Sequence, residues 1–106
     1  MSNIDYRKIF DAAASALDAS SAVSIEAQDT NRCSAEIILE NGSRIKFTAS
    51  LEEYSIELSL AKQSLERKDY NRFIARFEYN LEQKFFKNFR LEPQDSSKEY
   101  RIKISF

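Results

Sequence analysis

Tyr79 and Phe86 stand seven residues apart, two turns of an α-helix, with Arg72, Arg76, Gln83 and Arg90 around them. Between Arg67 and Arg90 the chain carries seven basic residues (Arg67, Lys68, Arg72, Arg76, Lys84, Lys87, Arg90) against three acidic ones (Asp69, Glu78, Glu82). On a helical projection Arg72, Tyr79, Gln83, Phe86 and Arg90 fall roughly opposite a stripe formed by Tyr70, Phe73, Ile74, Phe77, Leu81 and Phe85. The chemistry on offer is adhesion. Tyr, Phe and Arg are the side chains that protein interfaces gather at their energetic centres, and a Phe left in water costs solubility unless something covers it. The residues Arg72, Arg76, Tyr79, Gln83, Phe86 and Arg90 are therefore the expected partner-binding face, for another protein or for a second copy of this chain in a homodimer. The same residues permit an alternative, in which Arg and Lys neutralise phosphates while Tyr79 or Phe86 stacks on bases of single-stranded nucleic acid. A pI near 5.5 and the interleaved acidic residues weigh against it.

Other chemistry is mostly excluded by what the chain lacks. It has 106 residues, no His, one Gly and one Cys. Without His there is no Ser-His-Asp or Cys-His nucleophile pair, no imidazole base and no mixed Cys/His zinc site. A single Gly, Gly42, rules out both the dinucleotide fingerprint and the P-loop. Glu52-Glu53 falls in an expected turn, and the pairs Glu78/Glu82 and Asp5/Asp11 read as solvated helix faces. No cofactor or metal is implied, and the expectation is a protein that is not an enzyme.

Cys33 has no intrachain partner, so a reducing compartment follows, and its alternating neighbours make it a buried strand residue. Met1 to Phe10 mixes Asp5, Arg7 and Lys8 with isolated apolar positions, unlike a signal peptide, and no apolar run approaches a membrane span. A cytoplasmic location without membrane contact is expected.

The elements that must position the face follow from periodicity. Asn3 to Asp18 reads as an amphipathic helix with Asn3 as N-cap and Tyr6, Ile9, Phe10, Ala13, Ala16 and Leu17 inward. After Ala19 to Ser21, the residues Val23, Ile25 and Ala27 alternate as a short strand, and Asp29 to Arg32 turns the chain. A hairpin spans Cys33 to Ala49 around Asn41-Gly42. Its expected register matches Ile37 and Leu39 to Phe47 and Ile45 and sets Glu40 opposite Arg44 on the outer face. Ser50 to Leu65 admits a helix, with Ser50 and Glu53 as a capping box, or a strand. The strand is preferred because Tyr54, Ile56, Leu58 and Leu60 alternate with Ser55, Glu57 and Ser59. Lys62 to Arg90 is helical, Leu91 to Lys98 with Pro93 is the loop that stops it, and Tyr100, Ile102, Ile104 and Phe106 alternate as a final strand.

The result is one domain of order α-β-β-β-β-α-β, an α+β two-layer sandwich with an antiparallel sheet of about five strands and two helices on one face. The opening helix and strands resemble the small acidic chaperones of type III secretion over the stretch Cys33 to Leu60 alone. No family motif accompanies the likeness, and no family is assigned. Charge is divided unevenly: residues 1–53 carry five basic and nine acidic side chains, residues 54–106 eleven and eight, so the halves stand at -4 and +3 within a net -1. The expected class is a small inhibitor, immunity protein or chaperone that works by binding.

Overall fold

The computed structural model describes residues 5–19, 23–53 and 55–105. Helix α1 (Tyr6–Ala16) is capped by Asp5, whose carboxylate accepts from the backbone N–H of Lys8 at 3.3 Å. Asn3, expected in that role, lies outside the described residues, as do Ser20, Ser21, Tyr54 and Phe106. Four strands follow, β1 (Ser24–Gln28), β2 (Arg32–Ile38), β3 (Arg44–Leu51) and β4 (Ser55–Ala61), so the strand reading of the ambiguous stretch holds. A 3-10 turn (Lys62–Ser64) leads to helix α2 (Arg67–Phe85), then β5 (Arg90–Pro93) and β6 (Glu99–Ser105).

The six strands form one antiparallel sheet in the order β1-β2-β3-β4-β6-β5. Each strand buries one side, as its alternation requires. Cys33, Ala35 and Ile37, then Ile45, Phe47 and Ala49, then Ile56, Leu58 and Leu60, then Tyr100, Ile102 and Ile104 are all buried. The helices cover that side. α1 brings Phe10 and the small residues Ala12, Ala13 and Ala16, which let it lie close to α2, and Asn80 ties the two by donating to the Ala12 carbonyl at 3.2 Å. α2 brings Tyr70, Phe73, Phe77 and Leu81. Each large side chain so enclosed is worth about 1.5–3 kcal/mol relative to exposure. The radius of gyration, 12.7 Å, is that of one domain with one core.

Four expectations are corrected. The sheet has six strands because Arg90–Pro93, expected as loop, pairs with β6, setting Leu91 opposite Ile104. Proline obscured this strand, yet it sits on the outermost strand, where a missing N–H is tolerated. β6 is consequently internal, between β4 and β5. In the hairpin Ile37 faces Ile45 and Ala35 faces Phe47, two positions from the expected register. The loop is Glu40–Gly42, closed by Leu39 N–H to Ser43 O at 2.8 Å and Gly42 N–H to Leu39 O at 2.9 Å. Gly42 takes φ +85, a conformation its lack of a Cβ makes cheap, so the glycine selects the loop position and the loop selects the register. Arg44 then reaches Glu36 at 3.2 Å, in place of Glu40. Finally, a bulge between Ile25 and Ala27 leaves Ala27 exposed, while Val23 is buried as expected.

Candidate protein-binding face

The rotation of α2 about its own axis is set by aromatic contacts on its inner side. Phe73 stacks on Phe77 with ring centroids 5.1 Å apart, and Phe47 of β3 meets Phe73 at 6.0 Å. Tyr70 stacks on Tyr100 of β6 at 3.8 Å with the planes 9° apart, and the Tyr100 hydroxyl donates to the Leu65 carbonyl at 3.2 Å. Near the helix start, Asp95 accepts from the Arg67 guanidinium at 3.1 Å, the Tyr70 hydroxyl at 3.4 Å and the Arg101 N–H at 3.3 Å. With the inner side held at Phe73, Phe77 and Leu81, the opposite side has to face outward.

That side carries the two large apolar side chains that stand in solvent among the described residues, Tyr79 at 62% and Phe86 at 91% exposure. Arg72 and Gln83 are exposed beside them. Arg76 is exposed but occupied: its two terminal nitrogens donate to the two carboxylate oxygens of Asp18, each at 3.0 Å. The hydrogen bonds and charge of Arg76 hold the Asp18 carboxyl below the usual aspartate range. Asp18 lies 58 positions away in sequence, and no local pattern announces the pairing.

Arg90 is the sixth expected residue, and the structure removes it from this face. The helix ends at Phe85 and Arg90 begins β5, where it pairs with Ser105. Since Leu91 beside it faces the core side with Ile104, the alternation of the strand puts Arg90 on the side of the sheet away from the helices. Leaving the helix early gives the Arg90–Pro93 backbone a ladder on β6, while Phe89 stays buried in an edge contact with Phe85 at 5.4 Å.

Phe86 itself is the turning point. It is the C-cap of α2, in the left-handed conformation with φ 55 and ψ 39, and its N–H donates to the Glu82 carbonyl at 2.9 Å. A residue with a Cβ in that conformation costs roughly 1–2 kcal/mol, which is why glycine usually holds the position. Phe86 thus combines backbone strain with an almost fully wet ring. Three cations stand around this end of the helix. Lys84 is in the last turn, Lys87 is exposed with its Nζ 5.9 Å from the Phe89 ring, and Lys8 of α1 places its Nζ 5.5 Å from the Phe85 ring.

Elsewhere the described residues include no group of three or more His, Cys, Asp or Glu able to hold a metal, and no helix long and apolar enough to cross a membrane. Cys33 is buried, and burial pushes its thiol pKa up, away from reactivity. An open depression of about 600 Å³ between the β1–β2 turn and the end of β3 is lined by polar loop residues such as Asp29, Asn31 and Glu52.

The fold is an α+β sandwich whose helical layer leaves Tyr79 and Phe86 in solvent. Comparison with family models, curated proteins and solved structures finds no match to this chain.

Proposed function

We propose that this protein is a small non-catalytic binding module of the inhibitor, immunity or chaperone type, and that it holds another protein through the outer face of α2. Tyr79 and Phe86 are the anchors, with Arg72, Arg76 and Gln83 around them. The observation that carries this reading is Phe86. A ring 91% exposed at φ 55 is unfavourable both in water contact and in backbone strain, and while the backbone caps α2, the ring itself is buried against none of the described residues. Strained residues of that kind concentrate at ligand contacts, where a partner supplies the return. The pair at Arg76 and Asp18 leaves one less guanidinium for phosphate, which favours a protein over single-stranded nucleic acid as the occupant. A reducing, cytoplasmic setting fits the single buried thiol.

The test is the double variant Tyr79→Ala with Phe86→Ala, followed by circular dichroism and by co-precipitation from the native host. Unchanged spectra with loss of the associated protein are expected. A double variant that unfolds, or one that still holds its partner, overturns the assignment.

A further inference from the structure

Resting on the reading of Tyr79 and Phe86 as anchors, we infer that in the free protein this face is closed by a second copy of the chain, the two α2 helices packing antiparallel. Lys68, Arg72, Ala75, Tyr79, Glu82 and Phe86 follow one another at alternating steps of four and three residues. That is the seam spacing of a two-helix coiled coil, with Arg72, Tyr79 and Phe86 at heptad position a and the others at d. The seam runs along the solvent side of α2, where Glu82 is half-buried and the other five are exposed. The inner side keeps its own row at Phe73, Phe77 and Leu81. The helix thus carries two rows, and the fold of one chain uses one.

Charge order selects the direction. Arg72 and Glu82 make no ion pair among the described residues. A parallel pair would set each against its own equivalent, whereas reversal sets every a position against a d position of the other copy. In the register centred on the level of Phe77, Arg72 meets Glu82 of the second copy and the Tyr79 ring enters the gap beside its small Ala75. Lys68 then stands by the Phe86 ring of the second copy, an ammonium on an aromatic face. Its pairing with Glu66 within the chain is long, 3.7 Å, and exposed at both ends. All three matches share one centre, so one register makes them together. The mixed charge of this side suits neither a uniformly acidic nor a uniformly basic occupant, and a reversed copy matches it. On the flanks Arg76 and Glu78 come near their own equivalents, and Asp18 already offsets Arg76. Charged seam positions fix register at a cost in affinity, so the pair is reversible and another protein can displace it.

The experiment measures the mass of the purified full chain by sedimentation, beside Arg72→Glu and Glu82→Arg chains checked by circular dichroism. The unaltered chain should pass from one copy toward two between about 1 and about 300 µM, the range of a weak pair. Each variant alone should associate at least about tenfold more weakly, and an equal mixture of the two should recover association, since every contact between positions 72 and 82 then joins opposite signs. Glu78→Gln should tighten the pair. Direction is read from oxidised mixtures of Arg72→Cys and Glu82→Cys chains, in which position 72 should join position 82 in preference to itself; Cys33 is buried and stays out of the exchange. A chain that remains single at the highest concentration, a dimer indifferent to both charge reversals, or disulfides joining like positions overturns this inference, and leaves the capture of another protein through Tyr79 and Phe86 to the co-precipitation test. A dimer of the expected kind with no other protein held in the host overturns the proposed function and upholds this inference.

Discussion

Arg76 grips Asp18 with both terminal guanidinium nitrogens at 3.0 Å, joining the middle of α2 to the residue two positions beyond the end of α1. Asp18 is itself left-handed, at φ 54, so the turn that closes α1 is held in place by a charge on the other helix. The two helices that cover the sheet are thereby pinned at this point as well as at Asn80 and Ala12.

This pin is sensitive to acid. Because Arg76 lowers the Asp18 pKa, the pair contributes stability that is present above the ordinary aspartate value near 4 and is lost as pH falls through the lower folded value. Thermal melts of the unaltered chain and of Asp18→Asn are expected to differ at neutral pH and to converge in acid. Asn accepts the left-handed backbone well, so the comparison isolates the charge. A difference that stays constant down to low pH would assign it to something other than the ion pair.

Phe86→Gly is expected to make the protein more stable by about 1 kcal/mol, since it relieves the left-handed strain and removes almost no buried surface. Urea unfolding measures it. The same variant should lose the partner, so stability and binding move in opposite directions at one residue. A destabilised Phe86→Gly would mean that the ring packs in the folded chain after all.

Two aromatics two positions apart on α2 separate core from face. Phe77 is fully buried and stacked on Phe73, and Phe77→Ala should cost about 3–5 kcal/mol, a large share of what a domain of this size has. Tyr79→Ala should stay within about 0.5 kcal/mol. Paired denaturation curves of these two variants test the rotation of the helix directly.

Burial, reinforced by the nearby Asp95 charge, pushes the Tyr70 pKa well above the ordinary value near 10. The folded state keeps this proton while the unfolded chain gives it up, so stability is full below about pH 10 and falls as pH rises beyond it. Tyr70→Phe should flatten that alkaline decline and cost about 1 kcal/mol at neutral pH through the hydrogen bond to Asp95. Melting temperatures from pH 8 upward, about two units either side of the free phenol, show whether the slope changes. Tyr6, also raised by burial, remains to titrate in the variant.

The layers were legible because the signals behind them are local. Ile56, Leu58 and Leu60 alternate without error, Tyr70 through Leu81 keep helical spacing, and both patterns survive as buried faces. The exposure of Tyr79 and Phe86 follows from the same spacing. What escaped was set by long-range geometry. Leu91 to Pro93 is too short and too proline-marked to read as a strand until β6 offers it an edge. The hairpin register turned on which of several loop residues would adopt φ +85. Arg90 was carried onto the helix face by a projection that continued past Phe85, and only the strained cap at Phe86 reveals where the chain departs.

Pro93 occupies the outermost strand, where its imide nitrogen has no proton to offer a visiting backbone. At the opposite margin the bulge kinks β1 out of line. Neither margin therefore templates a cross-β stack, and crowded copies of the molecule are steered away from fibre growth. Among the described residues the large apolar side chains left in solvent, Tyr79 and Phe86, both stand on the helical layer, away from either sheet margin.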